Sequence, residues 1–344
     1  MLSTAGRFRR RLLDWYATHR RDLPWRSANG KLPDPYRVLV SEFMLQQTQV
    51  TTVIPYFNRF LGDFPNVRAL ADSDEQHVLR LWQGLGYYSR ARNLRNSCCH
   101  IVQHFNGEIP RDVGDLRSLP GIGRYTAGAI ASIAFGKTEP LVDGNVARVI
   151  CRLDLIRDDP KNSKTVELLW DRARELVSAE HPGDFNSAMM ELGATVCMPK
   201  NPDCGQCPVR SHCQAVAAGM QGKIPASKKS RPTPLESRIT LCVERNGRWL
   251  IEQRPPTGRW ASLWQFTTFP TALIHPKLDQ RKLEKLGTIR HTLTHRRYEF
   301  TAYRCRAGVS IPAGKNRKWV RAAELSLYPM SKPQCQIARM LELD

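Results

Sequence analysis

Apolar residues recur at intervals of three and four through the first two-thirds of the chain. Val38, Leu39, Phe43 and Leu45 mark one such stripe, and Leu168, Leu169, Leu176 and Val177 mark another. That is the period of helices that bury one face. Strand-like alternation is scarce over 1–218, so this region is expected to be mostly α. From Gln221 to Pro234 the pattern dissolves into Pro, Gly, Ser and Lys, and 219–236 reads as a linker. The grammar then changes. Ile239–Val243, Trp249–Gln253, Ile289–Leu293, Tyr298–Cys305 and Lys318–Val320 predict short strands, and Asn246-Gly247 predicts a hairpin turn between the first two. Helical segments near 276–285 and 331–342 complete a small α+β domain over 237–344. No internal repeat is visible.

At 344 residues the chain is long enough for two domains. Lys and Arg number 52 against 32 Asp and Glu, a formal net charge of +20. Such an excess suits a polyanionic partner through phosphate contacts, although a solvated basic surface alone would also account for it. No apolar run approaches the roughly 18 residues needed to span a bilayer, so no membrane segment is expected. Arg7 to Arg11 form a basic N-terminus, which leaves a transit peptide open. Leu12, Leu13, Trp15 and Tyr16 continue it as an amphipathic helix that reads as part of the fold.

Cys197, Cys204, Cys207 and Cys213 change the picture most. Their spacing is C-x6-C-x2-C-x5-C. Tetrahedral zinc usually wants two C-x2-C knuckles, whereas compact, uneven runs of four thiolates ligate iron–sulfur clusters. Spacing alone leaves a cluster, a zinc ion or unligated thiols open. Cys98, Cys99, Cys151, Cys242, Cys305 and Cys335 show no paired framework and are expected to be reduced.

Leu119-Pro120-Gly121-Ile122-Gly123-Arg124-Tyr125-Thr126-Ala127-Gly128 lies between two helical segments. Two glycines permit a tight hairpin, and a helix starting near Arg124 turns its free N–H groups toward the same space. Gly121, Gly123 and Arg124 are therefore candidate DNA phosphate ligands. This stretch resembles the helix–hairpin–helix (about 111–136) of base-excision DNA glycosylases, and the cysteine spacing is similar to that of their iron–sulfur branch. The resemblance implies a helix–hairpin–helix glycosylase fold over 1–218, a 4Fe–4S cluster in the 197–213 loop, and a cluster that acts as a structural staple presenting Lys200 and Arg210 to DNA.

Within that branch the chain resembles the MutY-type adenine glycosylases. Tyr125 stands where endonuclease III-like enzymes carry a Schiff-base lysine. Ser41-Glu42-Phe43-Met44-Leu45-Gln46-Gln47-Thr48-Gln49-Val50 is similar to the adenine enzymes' S-E-x-M-L-Q-Q-T-x-V helix. Asp22 to Arg26 and Trp82 to Leu94 also fit. The match is dense from about residue 8 to 218 and looser over 237–344.

Two carboxyls with separated pKa values are the logic of glycosidic cleavage. Glu42, among apolar neighbours, is expected to be raised by desolvation and to donate a proton. Asp143, at a helix N-terminus, is expected to stay ionised beneath the sugar. Taken singly, these would be a surface glutamate and an N-cap; the resemblance assigns them the catalytic roles. It implies further that Asn145 and Tyr125 orient Asp143 and a water, that Trp25, Arg26 and Glu191 line the adenine pocket, and that Gln47 and Tyr87 wedge the duplex.

The tail resembles a Nudix-like domain through Gln253 to Trp260, Leu263 to Phe266 and Arg290 to His295, but it lacks the glutamate-rich helix that binds magnesium. Its implied task is recognition of 8-oxoguanine by Leu293, Thr294 and His295, where the family typically has Phe-Ser-His. Thr294 keeps the hydroxyl and Leu293 loses the ring. The loop Ser27–Pro33 is longer than usual, and the linker carries no cysteines for an added zinc site. The implied partner is double-stranded DNA with A opposite 8-oxoguanine or G, bound by a monomer in the cytoplasm at the nucleoid. Two alternatives stay open: a related iron–sulfur mismatch glycosylase, such as one acting on T opposite G, and a non-catalytic iron–sulfur DNA-binding protein.

Overall fold

The computed structural model describes residues 4–27, 31–226, 233–271, 283–305 and 316–341. In chain order the helices are α1 (Thr4–His19), α2 (Pro35–Leu45), α3 (Val50–Asp63), α4 (Val67–Ala71), α5 (Glu75–Leu81), α6 (Ser89–His104), α7 (Val113–Ser118), α8 (Arg124–Phe135), α9 (Gly144–Leu153), α10 (Ser163–Leu176), α11 (Pro182–Thr195) and α12 (Gln214–Ala217). The strands are β1 (Leu235–Arg245), β2 (Arg248–Gln253), β3 (Trp264–Pro270), β4 (Leu283–Thr292), β5 (Arg297–Cys305) and β6 (Arg317–Val320), followed by α13 (Lys332–Leu341). The expected mostly α region and the α+β tail are both present.

The chain divides into two compact units, and the division does not follow the linker alone. One comprises residues 1–71 and 96–229, the other 72–95 and 230–344. In the first, α1 turns Phe8, Leu12, Trp15 and Tyr16 into an apolar cluster shared with α9, α10 and α11, so the basic N-terminal run belongs to a packed helix. Leu169, Leu176 and Val177 are buried as the periodicity predicts, while Leu168 faces outward. α7 and α8 flank the hairpin loop. Gly121 has φ +79°, the left-handed backbone a glycine tolerates, while Gly123 is extended at φ −92° and caps α8. Only the first glycine of the pair uses its conformational freedom.

In the second unit six strands form one sheet in the order β4-β5-β1-β3-β2-β6. Asn246 and Gly247 turn β1 into β2 with φ of 52° and 70°, and Arg245 pairs with Arg248. β1 runs parallel to β5 and antiparallel to β3. Three expectations need correction. β1 begins at Leu235, inside the expected linker. β3 is a full strand where none was predicted; the start of Trp264-Gln265-Phe266-Thr267 is buried on both faces, so no alternation shows. Residues 283–285 belong to β4 rather than a helix; 276–282 lie outside the described residues, as do 28–30 of the long loop and 227–232 of the linker.

Residues 72–95 are helical, yet they are bound into the second unit by hydrogen bonds. Trp264 Nε1 donates to Gln76 Oε1 at 2.9 Å, and Met330 N donates to Gln83 Oε1 at 2.9 Å. Tyr88 Oη donates to the Met330 carbonyl at 3.1 Å, and Arg92 Nη1 to that of Ala261 at 2.8 Å.

Candidate active site and metal centre

α2 starts at a capped N-terminus, with Asp34 accepting from Arg37 N at 2.9 Å and Pro35 in the first turn. Its residues from Val38 to Met44 are all buried, so the helix carries Glu42 into an apolar interior, only 5% exposed. Burial pushes the Glu42 carboxyl from 4.5 up to about 7; a hydrogen bond with Tyr125 opposes the rise and the nearby Asp143 charge adds to it. Glu42 Oε2 has no hydrogen-bond partner among the described residues. A buried carboxyl oxygen left open costs stability unless a ligand completes it.

Asp143 caps α9. Its Oδ1 accepts from Val146 N at 2.7 Å and its Oδ2 from Asn145 Nδ2 at 3.1 Å. Burial nonetheless raises this carboxyl above its ordinary 3.8, against the lowering by the Val146 and Asn145 donors and by Arg148. Desolvation thus outweighs the helix N-terminus, contrary to the sequence argument, but the donors favour the anion. Glu42 has one opposing hydrogen bond and Asp143 has three, so the environments separate the two groups in the expected order.

Tyr125, on the first turn of α8, is half-buried. Its hydroxyl lies against Glu42 and reaches Met190 Sδ at 3.5 Å. Burial and the two carboxyls push it well above 10, so it stays a neutral donor. Asn145 is locked from behind: Arg148 Nη2 donates to its Oδ1 at 2.8 Å and to the Gly193 carbonyl at 2.8 Å, and Arg148 Nε donates to the Cys197 carbonyl at 2.8 Å. Gly193 lets α11 approach this closely, since a Cβ there would lie 2.7 Å from Asn145 Cβ.

These groups line a cavity of about 510 Å³ that also touches Trp25, Arg26, Gln47 and Glu191, a size suited to a small organic ligand. Glu191 is 1% exposed. Burial alone would raise its carboxyl, but hydrogen bonds from Arg21 and Arg26 outweigh it and hold the group below its usual value. Arg21 Nε lies 2.6 Å from Oε1 and Arg26 Nη2 lies 2.7 Å from Oε2. Arg21 was not anticipated; it is one more basic residue in Arg20-Arg21-Asp22, and nothing local marks it. Trp25 is mostly core, edge-on to Phe57 at 5.3 Å between ring centroids.

Gln47 sits at the mouth of this cavity with a left-handed backbone, φ 58°. In the other unit Tyr87 is 45% exposed with φ 47°. Such conformations cost about 1 kcal/mol or more and concentrate at functional sites. Leu293, Thr294 and His295 form the turn between β4 and β5, where Leu293 N donates to the Arg296 carbonyl at 2.8 Å. Leu293 packs on the core of this unit, whereas Thr294 and His295 are exposed. The Thr294 and Tyr87 hydroxyls are 2.8 Å apart.

At the hairpin, Gly121 and Gly123 are exposed, but Arg124 is engaged. Its guanidinium pairs with Glu167 at 3.2 Å and lies 4.0 Å over the Trp170 ring. Phosphate binding there falls to the backbone N–H groups of the α8 start.

Cys197, Cys207 and Cys213 pack against the apolar cluster of the first unit. Burial pushes the Cys207 thiol up to about 12, with Cys197, Cys213 and Cys204 near enough to add to the rise. Only a metal centre would hold that sulfur as a thiolate. No three His, Cys, Asp or Glu side chains among the described residues are gathered tightly enough for one metal ion. A zinc ion would need its sulfurs about 3.8 Å apart, from Zn–S bonds of about 2.3 Å. A four-iron cluster places each thiolate on its own iron, so four neighbouring but separated sulfurs fit it better. Arg152, 2% exposed, donates to Cys197 Sγ at 3.2 Å and to the Met198 carbonyl at 2.7 Å. The remaining six cysteines are free thiols.

Three family models match the chain. That of the HhH-GPD superfamily of base-excision DNA repair proteins covers residues 40–175. The iron–sulfur binding domain of endonuclease III covers 197–213, and a NUDIX domain covers 239–340. The adenine DNA glycosylase of Rattus norvegicus is 36% identical, over 97% of this chain and 78% of that protein. The Homo sapiens adenine DNA glycosylase is 38% identical, over 86% and 66%. A thermostable thymine-DNA glycosylase structure aligns with a TM-score of 0.55 at 27% identity, over 62% of this chain and 97% of that one. An endonuclease III–DNA complex, at 24% identity and a TM-score of 0.51, shares the fold. The thymine enzyme therefore accounts for little more than the helical region, whereas the rat adenine enzyme accounts for almost the whole length. With its helix–hairpin–helix region, iron–sulfur segment and Nudix-like tail, this chain belongs to the adenine DNA glycosylase family of base-excision repair enzymes.

Proposed function

We propose that this protein is a monofunctional glycosylase that extrudes adenine opposite 8-oxoguanine or G and hydrolyses its N-glycosidic bond. The observation that carries the reading is the pair of carboxyls on one cavity. Glu42 holds a proton near neutrality with one oxygen unpartnered, and Asp143 is dressed with donors that favour its anion.

In this reading Glu42 gives its proton to a ring nitrogen of the departing base, because an adenine anion is a poor leaving group. Asp143 faces the cation that develops on the sugar, held in place by Val146 N, Asn145 and, behind it, Arg148. Water completes the hydrolysis. Tyr125 has no amine and forms no imine, so the strand is left uncut at an abasic site. Glu191 is already paired with two arginines and serves as a polar wall rather than an acid. Extrusion leaves a gap in the duplex that Gln47 and Tyr87 fill. Thr294, with the hydroxyl bond to Tyr87, reads the opposite 8-oxoguanine. The iron–sulfur cluster, held by Cys197, Cys204, Cys207 and Cys213, supplies structural cross-linking of its loop. The protein acts as a monomer where genomic DNA is found, in the cytoplasm at the nucleoid. Among the described residues no helix is long and apolar enough to cross a membrane.

Single-turnover assays on duplexes with A or T opposite 8-oxoguanine or G test this directly. Release of adenine, with strand scission only after alkali, is expected. Release of thymine instead would favour the mismatch alternative, and release of no base would leave a DNA-binding protein. Asp143→Asn should abolish release while retaining duplex binding; an undiminished rate in that variant refutes the role of Asp143.

A further inference from the structure

Asp143 and Gly144 line two cavities. One is the base-sized cavity described above. The other, about 700 Å³, opens on the far side of the same two residues. Its floor is apolar, built from Leu169 and Trp170 of α10 and from Ile224, all buried. Its rim carries Lys161, Lys200 and Lys223, all three exposed. They come from three separate stretches: the turn before α10, the cysteine loop, and the segment that leads out of the helical unit. Asp143 is the only carboxylate in the lining. Arg148, also in the wall, is already committed to Asn145 and to the carbonyls of Gly193 and Cys197.

We infer that this trough is a binding site for a nucleic-acid strand, taking the sugar–phosphate backbone on one side of the extruded nucleotide. The inference rests on the function proposed above, which puts a base in the first cavity and its sugar against Asp143. The backbone of that nucleotide then lies at the wall the two cavities share, and one arm of the strand has to leave beside Asp143. The trough is open at that place. Three ammonium groups on flexible stems suit successive phosphates as point charges, and the apolar floor suits deoxyribose faces. The other arm is left to the hairpin around Gly121 and Gly123. Lys200 is thereby grouped with Lys161 and Lys223, which no sequence motif joined to it.

The test is the salt dependence of duplex affinity, measured by fluorescence anisotropy on the cluster-loaded protein with a duplex carrying a non-cleavable adenine analogue opposite 8-oxoguanine. Each phosphate contact contributes about 0.9 to the slope of log affinity against log salt. Lys161→Gln/Lys200→Gln/Lys223→Gln should lower that slope by about 2–3 and weaken binding at least roughly tenfold at low salt. The Lys161→Gln/Lys223→Gln pair, which leaves the cysteine loop intact, should lower it by about 2, and Lys137→Gln on the same unit should leave it unchanged. A slope that stays at the wild-type value in both multiple variants, or that falls equally with Lys137→Gln, overturns the inference. Wild-type release of adenine with unchanged slopes would refute the trough alone; lowered slopes in a protein that releases no base would refute the glycosylase reading and leave the trough standing.

Discussion

Replacing Glu42 by glutamine should kill adenine release and stabilise the protein, and the stabilisation should depend on pH in a defined way. Folding moves this carboxyl from 4.5 up to about 7. The folded state therefore binds the proton more tightly than the unfolded chain. Stability from this group is fully present below pH 4.5 and is lost as pH rises through about 7. At about 1.36 kcal/mol per pH unit the whole span amounts to about 3 kcal/mol. An amide at position 42 cannot ionise and pays nothing across that window. Glu42 is 5% exposed, so solvent screening does little to reduce the figure. For a unit of this size about 1 kcal/mol shifts Tm by roughly 2–4 °C.

The measurement is the Tm difference between Glu42→Gln and wild type, both cluster-loaded, from pH 5 to 9. It should climb by several degrees between about pH 5 and 7.5 and then level off. The wild-type single-turnover rate should fall on the alkaline side of about pH 7, nearly tenfold per unit, as the acid loses its proton. Both curves report one group and should share a midpoint. A flat Tm difference would show that Glu42 is not ionising in the folded protein, and a rate that stays level to pH 9 would remove it as the proton donor.

The bond between the Tyr87 and Thr294 hydroxyls predicts coupling between the wedge and the lesion reader. Tyr87→Phe and Thr294→Ala should each erode the preference for 8-oxoguanine over G, and the double variant should do little more than either; fully additive losses would show that the bond carries no coupling. Arg21→Ala leaves Glu191 with Arg26 alone in a buried site, so adenine release should weaken by roughly 1–3 kcal/mol in kcat/KM, and a neutral result would make the second arginine dispensable. Arg152 is buried against Cys197 without a carboxylate partner among the described residues, so Arg152→Met should lose iron and the absorbance band near roughly 400 nm; full iron retention after gel filtration would contradict that.

The parts of the site that were legible in the sequence are those whose chemistry is local. Glu42 stands in a run of apolar residues, so burial and a raised pKa follow from its neighbours alone. Asp143 precedes a helix start, and its capping bonds to Val146 N and Asn145 lie within three residues of it. What escaped is held by contacts between distant stretches. Arg21 meets Glu191 across 170 positions, and in sequence it is one more basic residue near the surface. Arg148 and Arg152 sit four apart on α9 with apolar neighbours on each side, which was the available sign that their charges turn inward. The direction of the Asp143 shift was also misjudged, because the sequence shows the helix N-terminus that lowers it but not the burial that raises it.

Domain membership failed for the same reason in reverse. Residues 72–95 carry helical periodicity and adjoin helical sequence, so composition assigns them to the helical region. Their partners, at Ala261, Trp264, Thr294 and Met330, are fixed by single hydrogen bonds from Gln76, Gln83, Tyr87, Tyr88 and Arg92. No pattern of apolar residues encodes such bonds. The consequence is functional: Tyr87 travels with the unit that contains Thr294, so the side chain that enters the duplex and the one that reads the opposite base belong to one body. A change that loosened residues 72–95 from the sheet, such as Gln83→Ala, would act on lesion preference without touching either side chain or the two carboxyls.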